Sequence, residues 1–199
     1  MSNLPCIFEV MEDCTNRVLN YQLSKSIITS HAVFNYLTVL QNHITLDQKR
    51  DAINGLASYA RFSKQVLELA DQESALLSQE KEVLESYLSM EQQRFGSALD
   101  FVIIQEQDLQ GVFPTMLLIP VTELVITLSQ KPITIEIRIG LQGIQWNTNR
   151  QTPSFFNSEL NPEQNHRRRL LTQKFHALLL HFTQEYTPAG TLFTLNYTT

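Results

Sequence analysis

The stretch Leu23-Ser24-Lys25-Ser26-Ile27-Ile28-Thr29-Ser30-His31-Ala32-Val33-Phe34-Asn35-Tyr36-Leu37 decides how the chain is read. At about 100° per residue around a helix, Leu19, Leu23, Ile27, Phe34 and Leu37 share one apolar face, which Val33 and Leu40 extend. His31 falls roughly a quarter-turn from the centre of that face, with Asn35 one helical turn further on. A histidine on such a border is packed on one side and open on the other, as a nucleophilic imidazole must be. The same position also suits an ordinary, partly buried core histidine. The spacing predicts a single helix from about 16 to 43 with His31 near its middle.

A second helix is predicted from about 46 to 69, where Ile53, Leu56, Ala60 and Val66 recur near helical spacing. The short connection makes the two an antiparallel hairpin. Such a hairpin cannot cover its own apolar face, so a second copy completing a four-helix bundle is the expected assembly, a homodimer. A polar connection, Asp71 to Ser78, leads to a third helix ending at Phe95, with Gly96 at the C-cap. The pattern then changes. A strand is expected at 101–104, and a helix over 113–128 that begins near Pro114 and carries Pro120. Residues 133–139 alternate with period two, a half-buried strand. A turn at Leu141-Gln142-Gly143 leads into a strand at Ile144-Gln145-Trp146, then a polar loop from Asn147 to Asn161. A long helix from Pro162 to Gln184 and a last strand over 191–197 complete the chain. The fold class is α+β. A helical hairpin lies in residues 1–97, and a small α/β sandwich, helices on one face of a mixed sheet, in residues 98–199.

Of the 199 residues, 43% are hydrophobic and 18% charged, enough to bury a core. A net charge of -5 argues against general nucleic-acid binding, which needs a basic surface. The one basic run, Arg167-Arg168-Arg169, reads as a solvated helix face. Cys6 and Cys14 are too few for a disulfide framework and fit a reducing compartment. No window approaches the roughly 20 apolar residues that span a bilayer, and the start lacks signal-peptide features. A cytoplasmic protein without direct membrane insertion is expected.

The words around His31 resemble the histidine-kinase family typified by LytS and YehU, whose phosphoacceptor helix reads Gln-x-x-Pro-His-Phe-Leu-Phe-Asn-x-Leu. This chain keeps the histidine, the second phenylalanine, the asparagine and the leucine as His31, Phe34, Asn35 and Leu37. It departs from the motif at Ser30 and Ala32. Leu56-Ala57-Ser58-Tyr59-Ala60-Arg61-Phe62 resembles the family's second-helix Leu-x-x-x-x-Arg-Tyr. Leu77-Ser78-Gln79-Glu80 and Tyr87-Leu88-Ser89-Met90-Glu91-Gln92-Gln93-Arg94-Phe95 resemble its Leu-x-x-Glu and Tyr-Leu-x-x-Glu-x-x-Arg-Phe. The resemblance implies that His31 accepts a phosphoryl group and that the second half derives from an ATP-binding sandwich.

That second half departs from the family where nucleotide chemistry resides. Against Pro-x-x-Glu-Asn-Ala-x-x-His-Gly stands Pro120-Val121-Thr122-Glu123-Leu124-Val125-Ile126-Thr127-Leu128-Ser129. In the family the asparagine holds the magnesium ion, which demands oxygen ligands in octahedral geometry; Leu124 offers none. The Asp-x-Gly-x-Gly word is replaced by Asn147-Thr148-Asn149-Arg150-Gln151, and no glycine precedes the last helix in Asn161-Pro162-Glu163-Gln164-Asn165-His166. ATP binding is not expected. His166, His176 and His181 have no metal-ligand spacing, and Phe155, Phe156, Phe175 and Phe182 read as core.

The expected function is histidine phosphotransfer in a two-component phosphorelay. His31 would carry a phosphoryl group between receiver-domain aspartates, with Asn35 orienting the ring or the transferring group. An imidazole of ordinary pKa, ~6.5, is largely neutral at pH 7, as attack requires. Magnesium would come from the receiver, so the chain needs no cofactor of its own. Its expected partners are response-regulator receivers, a sensor kinase and a second copy of itself. The alternative is a kinase-derived interaction protein that leaves His31 unused, and a third reading is an active kinase.

Overall fold

The computed structural model describes residues 7–28, 30–105, 111–140 and 143–196, with backbone only for 7–13 and 30–32. Helices α1 (Ile7–Ile27), α2 (Ser30–Thr45) and α3 (Lys49–Ala70) open the chain, followed by β1 (Ser74–Leu76) and α4 (Leu77–Phe95). Then come β2 (Leu99–Gln105), β3 (Val112–Pro114), α5 (Leu118–Leu128), β4 (Ile133–Ile139), β5 (Gly143–Thr148), α6 (Pro162–Ala177), β6 (His181–Thr187) and β7 (Gly190–Asn196). The class is α+β, as the sequence pattern predicts. None of the described helices is long and apolar enough to cross a membrane.

The main sheet has the order β2-β4-β5-β7-β6. β2 and β4 are parallel, joined by the crossover through α5, and the remaining pairs are antiparallel. In β4 the alternation does what period two requires: Ile133, Ile135, Ile137 and Ile139 are buried, while Thr134 and Arg138 face solvent. α5 is apolar almost all round because it is buried almost all round. Trp146 of β5 is fully buried, and its indole N–H donates to Thr122 Oγ1 of α5 at 2.7 Å. That bond satisfies the one polar atom of the largest core side chain.

Several boundaries differ from the sequence reading, the first helix beginning already at Ile7. The predicted helix over 16–43 is two helices, α1 and α2. The connection after α3 contains β1, which pairs with β3 at Ala75 and Phe113. The helix predicted from Phe113 begins only at Leu118, because Val112–Pro114 is spent on that strand pair and Met116 has φ 61°. The helix predicted to run to Gln184 stops at Ala177, and β6 follows it. There Leu179 takes φ 52°, with Leu180 N–H donating to Phe175 O at 2.9 Å and Leu179 N–H to His176 O. These two bonds form a Schellman stop built without glycine. Leu141 and Gln142 of the predicted turn lie outside the described residues.

A buried polar group ties the helical half to the sandwich. Lys174 of α6 donates from Nζ to Asn20 Oδ1 of α1 and to the carbonyl of Thr115. Asn20 in turn donates to Thr115 Oγ1 at 2.9 Å and to Gln72 O at 2.7 Å. Glu80 of α4, almost fully buried, accepts from the amides of Met116 at 2.8 Å and Leu118 at 3.4 Å, and so holds the left-handed turn that leads into α5. Burial lowers Lys174 to about 7 and raises Glu80, the expected direction for charges taken out of water.

Candidate phosphotransfer site

His31 is the second residue of α2, in its first turn and not in mid-helix as the periodicity predicts. The side chain of His31 lies outside the described ones. Asn35 stands one turn on, on the same side of α2 by helical spacing, and is half-buried. Because α1 and α2 are separate helices, the apolar face drawn through both is not one surface. α1 buries Leu19, Leu23 and Ile27, whereas α2 buries Tyr36 and Leu40 and leaves Phe34 66% and Leu37 46% exposed.

The sequence also explains how α2 is held. Its Tyr36 stacks on Tyr59 of α3, ring centroids 5.1 Å apart, and donates its hydroxyl proton to the carbonyl of Gly55 at 3.1 Å. A Cβ at Gly55 would meet Leu40 Cδ2 at 2.6 Å, so glycine permits the close approach of α2 and α3. The turn between these helices is closed by Gln48 N–H to His43 O and Asp47 N–H to Ile44 O, with Asp47 at φ 56°. Ile44 on α2 and Ile53 and Leu56 on α3 are, like Phe34 and Leu37, more than two-fifths exposed. One copy of the chain therefore leaves an apolar stripe along this hairpin open to water.

Where the family's nucleotide word falls, on α5, Leu124 is fully buried in the core and Glu123 meets Arg167 of α6. Arg167 is 2% exposed, which corrects its reading as part of a solvated basic face; Arg168 is also engaged, donating to the carbonyls of Phe155 and Ser158, and Arg169 alone of the three is exposed. Phe155 and Phe175 are core as predicted, but Phe156 is 43% exposed. The guanidinium of Arg167 pairs with Glu123 through Nη1 and with Glu163 through Nη2 at 3.5 Å. It also donates from Nε to Ser26 Oγ at 3.0 Å and from Nη2 to the carbonyl of Ser26. Around this group lies a cavity of about 110 Å³, bordered by Tyr87, Glu91, Arg94, Glu123, Glu163 and Arg167. Sites for ligands of nucleotide size run to roughly 300–1,000 Å³. Burial outweighs the pull of Arg167 and raises Glu123 to about 7; burial also raises Glu91. Among the described residues no group of three His, Cys, Asp or Glu side chains is placed to hold a metal ion.

Sequence reasoning missed Arg167 and the Lys174–Glu80 pair because a buried cation has no periodic signature. The one signal was that both basic residues sit two turns apart on α6, hence on one face.

Residues 19–99 match the histidine kinase family model. Over this segment the chain is similar to the histidine kinase family. A sensor histidine kinase of Escherichia coli strain K12, YpdA, is 30% identical over 101 residues, half of this chain but 17% of that protein. The chain thus spans under a fifth of the curated relative it matches. Among solved structures, a bacterial phosphotransferase superposes with TM-score 0.53 and 11% identity over 98% of both chains. The histidine kinase domain of a blue-light-activated kinase from Erythrobacter litoralis gives 0.49 at 11% identity over 92% of this chain and 94% of that one. The likeness to the phosphotransferase is one of fold.

Proposed function

We propose that the chain is a histidine phosphotransfer protein of a two-component phosphorelay, which exchanges phosphoryl groups with receiver-domain aspartates through His31 and binds no ATP. The observation that carries this reading is the contrast between two family words. The phosphoacceptor word is largely kept around His31 at the start of a helix, while in the nucleotide word Leu124 takes the asparagine's place and the retained Glu123 is paired with Arg167. In the first turn of α2 the amides without helical acceptors and the positive end of the helix dipole favour an arriving phosphoryl group. A lone pair of the imidazole attacks phosphorus, and the bond from phosphorus to the aspartyl oxygen breaks, its electron pair returning to the carboxylate. The reverse step passes the group to a second receiver. Magnesium enters with the receiver, and Asn35 orients the ring or the phosphoryl oxygens. The exposed stripe on α2 and α3 supports a homodimer, closed as a four-helix bundle.

A phosphorylated receiver mixed with the chain should transfer acid-labile label to it, and His31→Gln should abolish that transfer without lowering thermal stability. Asn35→Ala should slow transfer by about tenfold, the value of one orienting hydrogen bond of ~1–1.5 kcal/mol. Transfer undiminished in the His31 variant would place the acceptor elsewhere. A calorimetric titration with Mg-ATP should be flat; binding tighter than about millimolar, ~4 kcal/mol, would restore a kinase reading. The second reading, an interaction protein with His31 idle, draws on the same exposed stripe. Binding of receivers without transfer of label from any of them would favour it.

A further inference from the structure

α1 and α2 follow one another almost without a linker, in a segment whose periodicity reads as one helix. What ends α1 comes from the other half of the molecule. The carbonyls of a helix's last turn have no helical donor of their own, and that of Ser26 receives Nη2 of Arg167. Nε of the same guanidinium donates to Ser26 Oγ at 3.0 Å, while the hydroxyl of Ser26 donates back to Leu23 O at 2.7 Å. The side chain of Arg167 is itself oriented from behind by Glu123 of α5 and by Glu163 one turn earlier on α6. A cation at a helix C-terminus also faces the negative end of the dipole. Arginine is the residue for this task, because its planar fork reaches a carbonyl, a hydroxyl and a carboxylate at once.

We infer that Arg167 is a positioning residue for phosphotransfer: capping α1 at Ser26 from the sandwich fixes where α2 begins, and so sets the placement of His31 at the first turn of α2. This rests on the phosphotransfer reading above. The cap spans 141 residues of sequence, so any displacement of α6 or α5 reaches the segment before His31 through one side chain. Lys174, two turns along α6, ties the same two helices at Asn20 and supplies an internal control, since Asn20 lies well before the end of α1.

The test compares full-length variants. Arg167→Met with Glu123→Gln removes the cap without leaving a buried unpaired carboxylate. Loss of charge-assisted hydrogen bonds at Ser26 should speed amide exchange at Ile27 and Ile28 by about tenfold or more and slow phosphotransfer from the receiver by a similar factor. The dissociation constant for the receiver should change less than about twofold. Ser26→Ala, which keeps every charge, should shift exchange and transfer in the same direction by less. Lys174→Met with Glu80→Gln, which leaves the cap at Ser26 in place, should change both clearly less than the Arg167 pair does. Unaltered exchange at Ile27 and Ile28, or equal slowing of transfer in the Lys174 pair, would overturn the inference. Faster exchange in the Arg167 pair, with no transfer even to the unsubstituted protein, would retain the cap but remove its role at His31.

Discussion

The α2–α3 hairpin and the sheet-bearing half were built under opposite demands. In the hairpin, Phe34, Ile44 and Ile53 are each more than three-fifths exposed, an apolar area that no described element covers. In the sandwich, Ile135, Ile137, Trp146 and Phe193 are fully buried, and the indole N–H of Trp146 is paired with Thr122. The hairpin keeps most of the family's phosphoacceptor word and leaves apolar surface exposed; the sandwich has a filled core and keeps only Pro120 and Glu123 of the nucleotide word. A nucleotide site needs an interior left open, with polar atoms unspent until the ligand arrives. Here Arg167 and Glu123 spend theirs on each other and on Ser26. The phosphotransfer reading proposed above asks for no such opening in the sandwich, only for an accessible face at the start of α2.

Closing the hairpin's stripe to a partner should have the greatest consequence. Phe34→Glu would bury an unpaired charge at the seam of a four-helix bundle, at a cost of ~3–5 kcal/mol to association. Because Phe34 is exposed within one chain, the monomer should fold as before. Light scattering should find a dimer for the unsubstituted protein and a monomer for the variant at the same micromolar concentration. A monomer in both would mean that the stripe serves a different partner.

The hairpin, α4, the turn at Gly96 and the alternation of β4 were legible because each rests on periodicity or on a residue with one conformational use. Gly96 does take φ 56°. The end of α1 was not legible, since its cap comes from Arg167, far away in sequence. Nor was β6: Phe182 and Gln184 continue the helical pattern, and no glycine or proline before them announces a stop. For the site, the position of His31 in the first turn of a helix needed the structure. Its candidacy did not.

The Glu123–Arg167 pair can be probed through its charge. Glu123 titrates near 7 in the folded chain, against ~4.3 for an ordinary glutamate. Between those values the folded state holds a proton that the unfolded state has released. The stabilisation is therefore complete below the unfolded pKa and is lost as pH rises through about 7. Relative to Glu123→Gln, which mimics the protonated acid, the unsubstituted protein should lose on the order of 2 kcal/mol between pH 5 and 8, a value reduced because the carboxyl is a quarter exposed. Lys174 titrates in both proteins and drops out of the difference. Denaturant unfolding at both pH values measures it. A difference independent of pH would mean that the pair with Arg167 is ionised throughout, as in an ordinary buried salt bridge.

A smaller effect is expected at the stop between α6 and β6. Leu179 occupies the left-handed position that ends α6, where glycine normally sits, and its side chain is 79% exposed. A branched side chain in that conformation crowds its own carbonyl, at a cost of ~1–2 kcal/mol that little packing repays here. Leu179→Gly removes the crowding but adds freedom to the unfolded chain, a partial offset of ~0.5–1 kcal/mol. The net expectation is a gain of about 0.5–1 kcal/mol in unfolding free energy, with transfer through His31 unchanged. Asp47→Gly, at the corresponding position after α2, should gain less, because aspartate tolerates the left-handed region better than leucine. If Leu179→Gly destabilised the protein, the exposed leucine would be contributing contacts outside a single chain. The sandwich would then share with the hairpin the need for a partner surface.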